Sequence, residues 1–161
     1  MSEDIKSKTW FVDLDGTVLK HKSNDEIDEI LEKENSHEYE EFLPGALEFW
    51  KNRPAGDKII ITTARLKCHT DHTLKVLDSH GFPYDDYIFE IGSGVRVVVN
   101  DIKPIGSAGN TEPVYTAHCV NLDRDSDYTK LNKESFDIDI YHSKKTITKI
   151  YNPELVTSMH Y

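Results

Sequence analysis

The chain has 161 residues, about one domain's worth, is 37% hydrophobic and carries a formal net charge of -10. No apolar run approaches the roughly 20 residues that a membrane-spanning helix needs, and the opening MSEDIKSK is too polar and acidic to read as a secretory signal. The negative charge disfavours nucleic acid as a partner, and the two cysteines, Cys68 and Cys119, make no disulfide framework, so reduced thiols in a cytoplasmic protein are expected.

In chain order, residues 9–13 form an apolar run that reads as a buried strand and ends in the pair Asp13 and Asp15. The segment from Asn24 places Ile27, Ile30 and Leu31 on one helical face, with Ser23 or Asn24 as N-cap. Asp25 to Glu41 holds nine carboxylates against Lys33, which reads as a solvated face. Pro44 and Gly45 precede a second helical stretch containing Leu47, Phe49 and Trp50. DKIIITT is a continuous apolar run, the pattern of a strand covered on both faces. RLKCHTDHTLKVLDSHG predicts a helix stopped by Gly81. YIFEI, GVRVVVND and VYTAHCVNL are further strand candidates, and KTITKIY adds one in an otherwise irregular tail. His69 and His72 are three residues apart on the third helix, but no further metal ligands suggest themselves, so surface histidines are expected.

Apolar strands alternating with helices predict an α/β fold, a Rossmann-like parallel sheet with helices on both faces. Ligands in such sheets bind beyond the carboxyl ends of the strands. Three runs end there in polar groups: Asp13-Leu14-Asp15, Thr62-Thr63-Ala64-Arg65 and Asn100-Asp101. Carboxylates that close repel one another unless a cation intervenes. Mg²⁺ suits them, because it takes a few carboxylate or carbonyl oxygens and keeps several waters. Asp13 and Asp101 would offer side chains to the metal and Asp15 its backbone carbonyl. Asp13 is then a candidate nucleophile and Asp15 a candidate general acid and base. Thr63 would hold phosphoryl oxygens. Arg65 would either share that charge or form a salt bridge at the helix start.

FVDLDGTVL resembles the first motif of the haloacid dehalogenase-like (HAD) superfamily, IIITTAR its second and VVVND its fourth. The resemblance covers roughly residues 8 to 122. It implies a single HAD-like domain over 1–161, with the core at about 8–122 and a C-terminal extension at about 123–161. It also implies Mg²⁺-dependent phosphatase activity through an aspartyl-phosphate on Asp13, with Asp15 as acid and base and Asp101 on the metal. The superfamily's third-motif lysine has no counterpart in FEIGSGVR. Lys103 is the preferred substitute, as a catalytic cation, and Lys75 the alternative. The stretches between the motifs are filled by the assigned elements, so no large cap is expected beyond the acidic segment 21–43. The implied substrate is a phosphomonoester of a small metabolite, with sugar phosphates favoured by similarity to small capless phosphatases. The rival readings are a nucleic-acid end or nucleotide phosphatase and a non-catalytic binding module of the same fold.

Overall fold

The computed structural model describes residues 7–131, 136, 138 and 148–150. They group into two compact units. One holds Thr9–Gly94 with Arg124–Lys130; the other holds Val95–Asp123 with the described residues before Thr9 and after Lys130.

The first unit is α/β. Strands β1 (Thr9–Val12), β2 (Lys58–Thr62) and β3 (Asp86–Ile88) form a parallel sheet in the order β1-β2-β3. The register pairs Phe11 with Ile60 and Ile61 with Tyr87, so the carboxyl ends of β1 and β2 lie side by side. Ile59 and Ile61 are fully buried while Ile60 is half-buried and Phe11 exposed. The two faces of the sheet are therefore covered unequally, unlike the even cover the continuous run in β2 predicts.

Each helix starts and stops for a local reason. Helix α1 (Asn24–Leu31) is capped by Ser23, whose hydroxyl accepts the Glu26 N–H at 3.1 Å. The Glu26 carboxylate reciprocally accepts the Ser23 N–H, completing a capping box. Ile27 and Ile30 turn inward. Helix α2 (Ala46–Lys51) buries Ala46 and Trp50. Helix α3 (Thr70–Ser79) ends in a Schellman motif: Gly81 donates to the Asp78 carbonyl and Phe82 to that of Leu77, with Gly81 at φ 68°. Phe82 and Leu77 are both buried, the apolar contact that accompanies this cap.

Arg124–Lys130, read from sequence as the start of a tail, packs on this first unit. Trp50 Nε1 donates to the Tyr128 hydroxyl at 3.1 Å, and that hydroxyl donates to the Thr17 carbonyl. Tyr128 N–H donates to the Pro44 carbonyl at 2.8 Å. Gly45 accommodates the segment: its φ is 75°, and a Cβ there would lie 2.9 Å from Thr129 Cγ2. Gly45→Ala is expected to destabilise the protein by at least ~1–2 kcal/mol, the cost of left-handed backbone for a non-glycine residue. A thermal or urea melt measures it; a loss below a few tenths would mean that Gly45 is not held left-handed against Thr129.

In the second unit, β4 (Ile102–Lys103) pairs antiparallel with β5 (Val114–Tyr115), and β6 (Cys119–Asn121) parallel with β7 (Thr148–Ile150). Strands β5 and β6 divide VYTAHCVNL between them, and β7 falls in KTITKIY, the rest of which lies outside the described residues. GVRVVVND is not a strand: Val95–Asp101 carries no ladder, and Val95 and Val99 are 93% and 92% exposed. β-branched residues favour a strand only where a neighbour completes the ladder and a face is buried. Pairing here begins only at Ile102. Across the described residues no helix is long and apolar enough to cross a membrane.

Candidate active site

The chain leaves β1 into a tight turn. The Leu14 carbonyl accepts the N–H groups of Thr17, Val18 and Leu19 at 2.8–3.0 Å, and Gly16 takes a φ of 82° that few other residues adopt. Leu14, Val18 and Leu19 are fully buried. Burying Leu14 leaves Asp13 and Asp15 partly exposed on either side of it. Thr17 Oγ1 donates to Asp13 Oδ2 at 3.1 Å. The carboxylates end this strand because the core takes the leucine between them and the turn carries the chain away from the sheet.

Arg65, just beyond β2, crosses to this turn. Its Nε and Nη2 donate to Asp15 Oδ2 and Oδ1 at 2.9 and 2.8 Å. Its Nη1 and Nη2 donate to Glu40 Oε2 and Oε1 at 2.8 and 2.5 Å, and Nη1 also donates to Thr73 Oγ1 at 3.0 Å. A guanidinium has five N–H donors, and all five are used. Of the two roles weighed for Arg65, the geometry matches the salt bridge. In this arrangement no donor remains for a substrate phosphate, and the side chain is 1% exposed. Burial alone would lower the Arg65 pKa, but pairing with Glu40 and Asp15 raises it, so the group stays charged.

Glu40 belongs to the acidic stretch read as solvated, yet its side chain is fully buried. His72 Nε2 meets Glu40 Oε2 at 2.7 Å, and Ser36 Oγ meets His72 Nδ1 at 3.0 Å. Burial would raise the Glu40 pKa, but hydrogen bonds from Arg65 and His72 outweigh it and hold the carboxyl at about 2, against an ordinary 4.5. An ionised carboxylate only accepts, so His72 Nε2 carries the hydrogen. A carboxyl depressed in the folded state stabilises it above the unfolded pKa, and that contribution is lost as pH falls from about 4.5 through about 2. Glu40→Gln is therefore expected to cost on the order of 3 kcal/mol near neutral pH. The gap from wild type should narrow progressively below about pH 4.5. Urea unfolding near pH 7 and near pH 3 checks this, and a gap constant with pH would show that Glu40 is not held ionised.

The histidines correct the sequence expectation. His69 and His72 are buried rather than on the surface. His69 Nε2 pairs with Asp28 Oδ1 at 2.6 Å, linking the start of α3 to α1, while His72 faces Glu40. The two imidazoles thus face different carboxylates. Thr63 is fully buried; its hydroxyl accepts the Arg65 N–H at 3.1 Å and its backbone bonds to Ile88 and Ile91. That hydroxyl serves the turn after β2 here. Lys75 is exposed on α3. Asp101 and Lys103 belong to the second unit, Asp101 exposed and Lys103 half-buried in β4 opposite Val114. The Asp101 carbonyl accepts from Thr116 Oγ1.

Among the described residues, no three His, Cys, Asp or Glu side chains gather into a metal cage. Mg²⁺ requires no such cage, since one or two carboxylates and its own waters suffice. Both Asp15 side-chain oxygens face Arg65, so Asp15 suits a metal through its carbonyl, and among the described residues no backbone N–H is recorded donating to that carbonyl. Asp13 would offer its carboxylate.

Arg124–Lys130 closes the other side of the turn. Asp125 N–H donates to the Gly16 carbonyl at 2.9 Å, and its carboxylate accepts the His21 N–H at 2.8 Å. Arg124 Cγ lies 3.0 Å from where a Cβ on Gly16 would stand. Burial raises the Tyr128 pKa, and the Asp13 charge adds to the rise. The roles of Glu40, His72, Thr73 and Tyr128 in this network escaped sequence reasoning. Their partners are 25 or more residues away or, for Thr73, set by the turn into α3, and no periodic signal encodes such meetings. No family model matches the chain, and searches of curated proteins and of solved structures likewise return no match.

Proposed function

We propose that this protein is a capless HAD-like phosphatase, Mg²⁺-dependent, hydrolysing a phosphomonoester of a small metabolite, with sugar phosphates favoured. The observation that carries the reading is the pair Asp13 and Asp15 at the carboxyl end of β1, with Arg65 from the end of the adjacent β2 gripping Asp15. This is where an open parallel sheet binds its ligand, and it falls on the residues whose motifs resemble the superfamily.

Asp13 is the nucleophile in this reading. Its carboxylate oxygen attacks phosphorus, the phosphorus–oxygen ester bond breaks, and the bonding pair leaves on the alcohol oxygen, which takes a proton from Asp15; Asp15 enters this step as the neutral acid, its oxygens still able to accept from Arg65. Asp15 then removes a proton from water, and the resulting hydroxide attacks the aspartyl-phosphate and returns Asp13 with release of inorganic phosphate. Arg65 occupies one lone-pair direction on each Asp15 oxygen; a carboxylate oxygen has two, so a hydrogen-bonding direction toward the reacting groups stays open. Mg²⁺, held by Asp13 and the Asp15 carbonyl, would supply charge neutralisation at the phosphoryl oxygens. Asp101 as a further ligand and Lys103 as a cation are sequence-based parts of the same proposal.

The test is hydrolysis of p-nitrophenyl phosphate with and without Mg²⁺, followed by a screen of sugar phosphates, nucleotides and 3'-phosphorylated oligonucleotides. Mg²⁺-dependent turnover with a sugar phosphate as the best substrate is expected. Preference for oligonucleotide ends would replace the substrate class, and no hydrolysis of any phosphomonoester would replace the enzyme reading by a binding module.

A further inference from the structure

Asp15 is one end of a connected row of polar groups whose middle members, His72, Glu40 and Arg65, are buried. Ser36 Oγ, partly exposed, meets His72 Nδ1, His72 Nε2 meets Glu40, Glu40 accepts two N–H groups of Arg65, and Arg65 donates two to Asp15. The Glu40, Arg65 and His72 side chains are 0%, 1% and 4% exposed, whereas Asp15 is 16% exposed. The three buried groups link partly exposed Ser36 to Asp15, and of the two carboxylates in the row Asp15 is the one that reaches solvent.

Arg65 is gripped along two edges of its planar fork. The Nε and Nη2 edge binds Asp15, the Nη1 and Nη2 edge binds Glu40, and Thr73 accepts the remaining N–H. Two bidentate contacts fix the plane and the rotation of a guanidinium far better than one. Because both Asp15 oxygens follow that plane, the direction of the Asp15 carboxylate is set by Glu40 and His72, which do not touch it. A buried carboxylate is costly, and burying apolar groups in its place is often neutral or stabilising. Stability alone is a weak reason for Glu40 to stand there, and orienting Asp15 is a stronger one.

We propose that Glu40 and His72 are positioning residues: acting through Arg65, they hold Asp15 in the orientation needed to deprotonate water. This rests on the phosphatase reading. It also recasts part of the acidic segment, since Glu40 then supports the reacting groups from beneath.

The experiment is pre-steady-state hydrolysis of p-nitrophenyl phosphate with Mg²⁺ by wild type, Glu40→Gln, His72→Gln and, as a control on the exposed neighbour, Glu41→Gln, each shown folded by circular dichroism. Misplacing a reacting group by about 1 Å costs on the order of a hundredfold. Glu40→Gln is expected to lower kcat by about that factor, and His72→Gln, one step further away, by about tenfold. The p-nitrophenol burst should persist in both, because attack by Asp13 on this leaving group needs little from Asp15, while the slow phase lengthens. Glu41→Gln should match wild type. Folded Glu40→Gln and His72→Gln proteins with kcat within about twofold of an active wild type would overturn the inference alone. Equal slowing of burst and slow phase would do the same. If Glu40→Gln does not fold, His72→Gln decides, since it keeps a donor toward Glu40. A wild type that hydrolyses nothing would overturn the phosphatase reading and this inference with it.

Discussion

Asp13→Asn is expected to abolish phosphomonoester turnover while leaving the fold in place. An amide is a poor nucleophile toward phosphorus and does not balance a bound cation. The amide oxygen can still accept the hydrogen bond that Thr17 Oγ1 makes to Asp13 at 3.1 Å, so the turn keeps this anchor. The side chain is only partly buried, and a near-isosteric change there leaves no cavity. A melting temperature close to wild type together with lost activity would therefore place the effect in the chemistry. More than about a hundredth of wild-type kcat, a loss under ~2.7 kcal/mol, would exclude attack by Asp13.

Arg65→Met is expected to produce the largest loss of stability in the first unit. Removing one member of a buried ion pair strands its partners, at a cost of about 3–5 kcal/mol. Here the stranded groups are Glu40, fully buried, and Asp15, largely buried. His72 would still reach Glu40, which keeps the cost from growing further. In a chain of this size such a loss lowers the melting temperature by roughly 10 °C. Arg65→Lys keeps the charge but not the fork, and one ammonium cannot serve both carboxylates bidentately, so it should recover only part of the loss. The double variant Arg65→Met with Glu40→Gln should be more stable than Arg65→Met, because the uncompensated buried charge is gone. A single-variant loss under ~1 kcal/mol would mean that solvent reaches these groups far more than their burial indicates.

Asp13→Asn tests whether the end of β1 performs chemistry. Arg65→Met tests whether the end of β2 is fastened to it, which holds whatever the protein acts on. Activity lost without stability in the first, and stability lost in the second, would be consistent with a reacting turn seated on a rigid ionic base.

Much of the first unit was legible along the chain because its signals are local. The apolar runs marked β1 and β2, the Ser23 and Glu26 pair marked the start of α1, and Gly81 marked the end of α3. The D-x-D-G-T sequence placed two carboxylates at a strand end, and the structure puts them there, flanking buried Leu14. Each of these depends on backbone preferences and hydrogen bonds spanning a few residues, which composition and period encode directly. The tertiary structure alone decided which charged groups are solvated. Glu40 and Glu41 are adjacent in the same acidic stretch, yet one is buried against Arg65 and His72 and the other is exposed. Arg65 was legible as a cation at a strand end, but its pairing with Asp15, fifty positions away, was not. Val95 to Val99 read as a strand and is not one, because a strand exists only with a neighbour to complete its ladder. The physical reason is the same in each case: the energy of a buried charge or of a ladder belongs to pairs of groups brought together by the fold, and nothing within a few residues of either partner records the meeting.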